Sequence, residues 1–342
     1  MSISSSSQIH SFGRKPLTAY ILRRLINLIP TFILATFLAW IVIEIAPGDF
    51  ASKFAFDQVD PNKAARIREV LGLDQPWFVR YFYWLRNVVT DFDFGTSLTS
   101  KGDVTNLIWP RMFNSLRLLL PATILTYLIA VPIGVFSAVR KYSLGDRFLT
   151  IFSLVGLAIP NFFLALIVVA FAVQWFQATN GFLIPVGGMT SQSFGQLSEW
   201  GQFRDLAWHL IAPIIVVMLA GLASVSRFMR GEMLEVLGQD YVRTARAKGV
   251  SERVVNYKHA LRNAIIVIVA TIGGLLPSLI GGAGSVEYVM RWPGITPLFI
   301  SSIYAQDTYV IMALLTILTV LLMLGNLLSD LALALIDPRI RY

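Results

Sequence analysis

Residues 240–263 read DYVRTARAKGVSERVVNYKHALRN, and this polar stretch lies between long apolar runs of the chain. It carries six basic side chains, which are Arg243, Arg246, Lys248, Arg253, Lys258 and Arg262. The apolar runs around it reach about 18 residues or more, the length that lets a helix cross the core of a bilayer. A basic segment enclosed by such runs is typical of a cytoplasmic loop. The sequence therefore predicts an all-α polytopic membrane protein whose basic loop needs a partner.

The composition also indicates a membrane protein. Of the 342 residues, 56% are hydrophobic and 14% are charged, against about 25% charged residues in ordinary soluble domains. The net charge of +8 is the excess of Lys and Arg that cytoplasmic loops carry, so we expect no nucleic-acid partner. The absence of cysteine and the wide spacing of the three His residues predict that the chain has no metal site.

Six apolar runs predict six transmembrane helices, with both termini on one side of the membrane. The predicted spans are residues 25–46, 116–139, 148–176, 207–228, 264–286 and 309–336. The remaining segments are a Ser-rich tail at 1–19, a long outer loop at 47–113 and the basic loop at 229–263, so that 20–342 form one transmembrane domain. The segments on the side of the termini are rich in Lys and Arg, whereas the short loops on the other side hold few. This bias predicts cytoplasmic termini.

The outer loop contains the run WFVRYFYWLRNVV after Pro76, whose aromatic residues recur at helical spacing. This pattern predicts an amphipathic helix that lies on the membrane surface or on the helix bundle.

The predicted spans have no charged residue near their middle. Glu44, Arg117, Arg227 and Glu287 fall near span ends, where we expect their side chains to reach the membrane interface. This pattern counts against an ion-driven carrier, although unwound backbone carbonyls can bind Na⁺ without a charged side chain. The chain also has no P-loop motif, so energy from ATP would have to come from another subunit. An ion-driven carrier and a non-transporting scaffold stay open as alternatives.

Proline and glycine interrupt several spans. The clearest interruptions are Pro160, Asn161, Gly273, Gly274, Pro277 and Ser278. These residues either let helices pack closely or line a translocation path.

The basic loop predicts two short helices joined at Gly249. Asp240 can cap the first helix, Gly249 suits a left-handed turn after it, and Ser251 can cap the second. On the second helix the spacing predicts one apolar stripe of Val250, Val254, Tyr257 and Leu261. The stripe either enters a groove of a partner protein or packs under the helix bundle.

The whole stretch resembles the coupling loop of permease subunits of binding-protein-dependent ABC importers, most closely the dipeptide/oligopeptide branch. Ala245, Gly249 and Leu261 match the general loop pattern, whereas its Glu and its Pro are replaced. Further stretches resemble the same family, namely YILRRLINLIPT at 20–31, IAPGD at 45–49, LGLDQPWFVRYFYWLRN at 71–87, FGTSL at 94–98, VEYVMRWPGI at 286–295 and DLALALIDPRIR at 330–341.

The resemblance implies a type I importer permease fold in a bacterial inner membrane. The implied partners are a second, similar permease in a heterodimer, two ATPase subunits that bind ATP and Mg, and an external substrate-binding protein. The chain itself would bind no cofactor and hold no catalytic residue. Peptides are the usual cargo of this branch, while nickel and oligosaccharides are carried by related systems. The implied ATPase contacts are Asp240, Tyr241, Arg243, Ala245, Arg246, Lys248, Gly249, Val250, His259, Leu261 and Arg262.

A second candidate site lies between the last two predicted spans. Its residues are Glu287, Trp292, Pro293 and Gly294. They form either a re-entrant loop that Trp292 anchors at the interface, or an outer gate or contact for the binding protein.

Overall fold

The computed structural model describes residues 17–54, 62–70, 72–179, 184–270 and 283–336. The described helices are α1 Leu17–Ile45, α2 Lys63–Val70, α3 Trp77–Asp91, α4 Val104–Val139, α5 Leu144–Ala158, α6 Asn161–Ala178, α7 Glu199–Leu237, α8 Asp240–Ala247, α9 Glu252–Val254, α10 Leu261–Ala270, α11 Gly284–Val289, α12 Ile295–Ala305 and α13 Thr308–Ile336. A π-helical turn, Val255–Ala260, joins α9 to α10, and short 3₁₀ turns lie at Phe50–Phe54 and Phe194–Gln196. The predicted all-α class is confirmed.

Five of the described helices are long and apolar enough to cross a membrane. They are α1, α4, α6, α7 and α13. The predicted span 264–286 includes residues 271–282, which lie outside the described residues, and the same is true of Gly273, Gly274, Pro277 and Ser278. A multi-pass helical protein is therefore confirmed, and the count of six spans stays a prediction.

The predicted span 148–176 is not one continuous helix. Ile159 is extended at φ −89° and ψ 117°, so α5 ends there, and α6 begins after Pro160. The cause is local, because a proline disfavours helical backbone in the residue before it and lacks the N–H that a continuing helix would need. Pro160 is the N-cap of α6, and its carbonyl accepts hydrogen bonds from the N–H groups of Phe163 and Leu164.

The helices α4 and α7 extend beyond their predicted apolar spans, into polar sequence. The Asp103 carboxylate caps α4 by accepting from the Thr105 N–H at 2.8 Å. Ser198 caps α7 by accepting from the Gly201 N–H at 3.3 Å. Hydropathy reports only the apolar part of such a helix, whereas the cap determines where it begins.

The parallel pair of α4 and α7 forms the centre of the bundle. A Cβ added to Gly134 of α4 would lie 2.6 Å from the Ser226 carbonyl oxygen and 2.7 Å from the Met229 Cβ on α7. Gly221 of α7 meets Thr126 of α4 in the same way, at 2.9 Å. Small residues of this kind let two helix backbones approach closely inside a bilayer, where apolar surface alone gives little attraction between helices.

The two ends of this pair have different surroundings. At the long-loop end, which carries residues 62–103, the Asp307 carboxylate accepts hydrogen bonds from the Ser97 hydroxyl at 2.6 Å and the Thr99 N–H at 3.0 Å. At the basic end, which carries residues 240–263, Ala260 packs against Val135 and Met233 in one buried cluster. The two candidate sites thus occupy opposite ends of the bundle.

The aromatic helix α3 packs on the bundle, one of the two predicted positions. Tyr81 and Trp84 are buried against Trp40 of α1 and Met312 of α13. The Tyr81 hydroxyl also donates to the Ile33 carbonyl at 3.2 Å. The neighbouring residues of α3 on its other side, such as Phe82, are exposed.

A buried ion pair closes the basic end. Asp146, which is 2% exposed at the start of α5, receives two hydrogen bonds from the Arg230 guanidinium of α7, at 2.8 and 2.9 Å. The Ser137 hydroxyl and the Tyr142 N–H also donate to this carboxylate. The hydrogen bonds from Arg230 hold the pKa of Asp146 well below its usual range. The pair ties the ends of α4, α5 and α7 together.

We predict that Arg230→Met lowers the free energy of unfolding by roughly 3 kcal/mol, because it leaves the buried Asp146 carboxylate without its countercharge. The measurement is the thermal midpoint of the purified protein in detergent. Arg227→Met is the matched control, since Arg227 is exposed one turn earlier on the same helix. Equal midpoints for the two variants would contradict the structural role of the pair.

Candidate functional site

The first helix of the basic loop ends as predicted at Gly249, in the left-handed region at φ +75°. The Gly249 N–H donates to the Arg246 carbonyl at 2.9 Å, and the Val250 N–H donates to the Ala245 carbonyl at 3.2 Å. These two bonds close the helix end, and glycine is the residue that adopts such a conformation at least cost. Asp240 is the first residue of α8 and not its cap, because Gln239 occupies the cap position.

The predicted apolar stripe on the second helix is wrong in its register. A π-helical turn at Val255–Ala260 adds a residue to the turn and rotates the chain that follows. Leu261, which follows this turn, therefore faces the bundle, as the buried Val255 and Ala260 do, whereas Val254 and Tyr257 are 38% and 55% exposed. Ser251 occupies the predicted cap position without a side-chain hydrogen bond.

The loop is fastened to the bundle at several points. Val242 of α8 is fully buried, and the Asn263 amide donates to the Tyr241 hydroxyl at 2.7 Å. Arg246 and Glu252 form an ion pair at 2.9 Å across the Gly249 turn. The two helices therefore keep a defined mutual orientation.

One surface of the loop combines exposed apolar groups with basic groups. We call it the Tyr257 face, a shallow depression of about 480 Å³ lined by Arg253, Val254, Tyr257, Lys258 and Arg262. Such a surface suits a partner that offers an apolar groove with an acidic rim.

The other predicted contact residues divide by exposure. Exposed residues are Asp240, Tyr241, Arg243, Arg246, Lys248 and Gly249, while Ala245, Val250, His259 and Leu261 are half-buried. Leu261 packs against the buried cluster of the basic end, so it faces the bundle.

At the long-loop end, buried hydrogen bonds hold the segment 284–296 against α4. The Trp292 indole N–H donates to the Asn114 carbonyl at 2.8 Å. The Glu287 carboxylate accepts from the Ser115 hydroxyl at 2.6 Å and from the Thr296 N–H at 3.0 Å. We call this group of residues the outer knot. The roles of Asn114 and Ser115 could not be predicted from the sequence, because their partners lie far away along the chain.

The outer knot corrects two predictions about side-chain position. Glu287 and Trp292 are both fully buried, so Glu287 does not reach the interface and Trp292 neither anchors there nor presents a contact surface. Gly294 is buried as well, and Pro293 is half-buried. A Cβ added to Gly294 would lie 2.4 Å from the Glu287 carboxylate, so only glycine fits there.

Two of the predicted path residues, Pro160 and Asn161, lie among the described residues, and their role in a path stays a prediction. Pro160 is exposed and Asn161 is half-buried at the junction of α5 and α6. The others lie outside the described residues. Among the described residues, no group of His, Cys, Asp and Glu could hold a metal ion.

Comparison with known proteins shows the family to which the chain belongs. Residues 130–342 match the family of binding-protein-dependent transport system inner membrane components, and residues 17–129 match the N-terminal part of such membrane components. The chain belongs to this family of transport permeases. The resemblance of the basic loop and of both chain ends is thereby confirmed.

Curated relatives cover the permease almost completely. It is 41% identical over 330 residues to the oligopeptide transport system permease protein AppB of Bacillus subtilis, which spans 95% of this chain and 100% of the relative. It is 34% identical over 337 residues to the dipeptide transport system permease protein DppB of Alkalihalophilus pseudofirmus, at 95% and 99% coverage. It is 34% identical over 323 residues to the glutathione transport system permease protein GsiC of Salmonella typhimurium, at 94% and 99% coverage.

The family places the permease in the inner membrane as a multi-pass transport subunit, in agreement with its apolar helices. It is a permease and not an enzyme.

We predict that Gly294→Ala destabilises the permease by roughly 1–3 kcal/mol, because its methyl group would overlap the Glu287 carboxylate and break the outer knot. Thermal unfolding of the purified protein measures the effect. Gly187→Ala is the control at the same end, since a Cβ there meets nothing within 4 Å. An unchanged midpoint for Gly294→Ala would show that the knot is looser than described.

Proposed function

We propose that the permease forms one half of the translocation path of an ATP-driven importer for peptides or similar small solutes, and that residues 240–263 couple it to the ATPase. The names of its relatives support the substrate class, since they carry oligopeptides, dipeptides or glutathione. The lack of a P-loop motif requires ATP and Mg to be bound by separate subunits. The observation that carries the coupling role is the exposed Tyr257 face, which the Gly249 turn and the π-helical turn present to a partner.

The buried contacts of the loop can transmit movement from the loop to the helix bundle. Val242 and Ala260 are fully buried, and Ala260 packs against Val135 of α4 and Met233 of α7. Because packed helices move as rigid bodies, a force on the Tyr257 face is transmitted to the ends of α4 and α7. ATP-driven closure of the ATPase pair would in this way switch the bundle between inward-facing and outward-facing states.

The remaining partners follow from the same assembly. A second, similar permease in a heterodimer supplies the other half of the path, two ATPase subunits face the basic end, and a substrate-binding protein faces the long-loop end. With six spans and cytoplasmic termini, the basic end lies in the cytoplasm, as the concentration of Lys and Arg in 240–263 supports.

The outer knot is the proposed outer gate. It holds the turn at Trp292, Pro293 and Gly294 against α4 through buried hydrogen bonds of Glu287. A switch that moves α4 therefore acts on the knot as well, because Ser115 of α4 is one of its donors.

We predict that Gly249→Val uncouples ATP hydrolysis from uptake. A β-branched residue at φ +75° is strained by roughly 1–2 kcal/mol, which favours a different turn and displaces the second helix. Uptake and ATP hydrolysis are measured together in proteoliposomes that contain the complete importer. Uptake is expected to fall at least several-fold at an unchanged amount of inserted protein.

Two variants control this experiment. Gly249→Asn is expected to keep most of the uptake, because asparagine tolerates the left-handed region. Gly231→Ala, in open space on α7, is expected to leave uptake unchanged. Normal uptake by Gly249→Val would refute the coupling role of the turn.

We predict that Tyr257→Ser weakens association with the ATPase subunits by about tenfold, because tyrosine side chains at the centre of an interface contribute strongly to affinity. The measurement is the fraction of ATPase that co-purifies with the permease across a dilution series. Tyr304→Ser is the control, since Tyr304 is 79% exposed at the opposite end. Equal retention of the ATPase by both variants would remove the Tyr257 face from the interface.

A further inference from the structure

Two cavities meet at the Arg80 side chain, at the long-loop end. The larger cavity, about 1130 Å³, lies between α2, α3 and residues 93–101, and the smaller one, about 560 Å³, lies between α1, α12 and α13. Arg80, Phe50 and Leu98 line both cavities. Neither cavity belongs to the Tyr257 face or to the outer knot.

The Arg80 guanidinium is held in place but is not fully hydrogen-bonded. One terminal nitrogen donates to both oxygens of the Glu44 carboxylate, at 2.6 and 2.7 Å. The guanidinium carbon lies 6.0 Å from the centre of the Trp40 ring. The Nε atom is buried and has no acceptor among the described residues. The charged guanidinium therefore uses only part of its donor capacity on Glu44, and it lines both cavities, where it can bind an acidic oxygen.

The smaller cavity continues from Arg80 into the apolar part of the bundle. Beyond Glu44 its wall consists of apolar side chains of α1, α12 and α13, which are Ala39, Val42, Ile43, Phe299, Ile303, Ile311 and Leu315. From the end of α13 at Thr308 to Leu315 the helix rises about 10 Å, at 1.5 Å per residue. The cavity therefore runs from the ends of two membrane helices into the depth of the acyl chains.

The larger cavity adds positive charge on the other side of Arg80. Its wall includes Lys63, Arg66 and Lys101 in addition to Arg80, and Asp93 is the one acidic residue among its described lining residues. The acidic residues of the smaller cavity, Glu44 and Asp49, are paired with Arg80 and Arg68. A ligand at the junction therefore meets cationic groups on its polar side and apolar groups on its other side.

We propose that this junction is a phospholipid site, in which the phosphate accepts hydrogen bonds from Arg80 and an acyl chain occupies the smaller cavity. An amphipathic molecule with an acidic oxygen matches both walls, and the bilayer supplies such molecules at this depth. An anionic headgroup is bound more tightly than a zwitterionic one because of the basic wall. The lipid joins α1, α3 and α13, which contact each other through the aromatic cluster of Trp40, Tyr81 and Trp84.

The test uses native mass spectrometry of the purified importer in detergent, titrated with phosphatidylglycerol, phosphatidylethanolamine or diacylglycerol. Arg80→Gln is expected to reduce binding of phosphatidylglycerol about tenfold, because hydrogen bonds to charged groups are lost. Arg86→Gln is the matched control, with the same charge change at an exposed position of the same helix. Arg80→Lys keeps the charge beside Glu44 but loses the additional N–H donors of the planar guanidinium, so it is expected to bind weakly while folding normally.

A second arm leaves Arg80 intact and blocks the acyl chain. Ile303→Trp places a larger side chain in the smaller cavity and is expected to reduce lipid binding several-fold, whereas Tyr304→Trp, at the next residue and outside the cavity, is not. Diacylglycerol is expected to bind no better to the native protein than to Arg80→Gln. The proposal is overturned if both tryptophan variants bind lipid equally, if Arg80→Gln binds like Arg86→Gln, or if soluble glycerol phosphate or a dipeptide displaces the bound lipid.

Discussion

The close approach of α4 and α7 at Gly134 is the contact on which the rest of the structure depends. A side chain there would overlap the Ser226 carbonyl, so the two backbones meet without one. Inside a bilayer, packing of this kind replaces the hydrophobic attraction that joins helices in water. α5 joins the same pair at Gly156, where an added Cβ would lie 2.9 Å from the Ala223 methyl group of α7. The pair thus forms a closely packed centre with a candidate site at each end.

Each end of α4 supplies a serine hydroxyl to a buried carboxylate, but the two carboxylates are stabilised differently. Asp146 at the basic end has the Arg230 guanidinium as countercharge, in addition to Ser137. Glu287 at the long-loop end has only neutral donors among its described partners, one of them Ser115. A buried carboxylate without a countercharge is costly and depends fully on its hydrogen bonds. The outer knot is consequently the more easily opened of the two ties, which suits a gate.

Most helices could be predicted from the sequence, whereas their ends and orientations could not. Hydropathy identified the apolar spans but missed the capped extension of α4 that begins at Asp103. The break before Pro160 follows from proline chemistry and could have been placed there. The register of the Tyr257 face could not be predicted, because a π-helical turn leaves no clear signal in the order of residues. The burial of Trp292 also depends on Asn114, a residue that no local pattern connects to it.

The sequence by itself determined that this protein is a helical membrane permease with a basic loop turning at Gly249. The length of the apolar runs, the conformations of proline and glycine, and the family motifs are local properties of the chain. They can therefore be predicted from the order of residues. Only the tertiary structure decided which face of that loop is exposed, that Glu287 is buried, and that Arg80 retains an unpaired donor between two cavities. These properties arise from contacts between distant segments, and their energies depend on desolvation and packing that exist only once the helices are assembled.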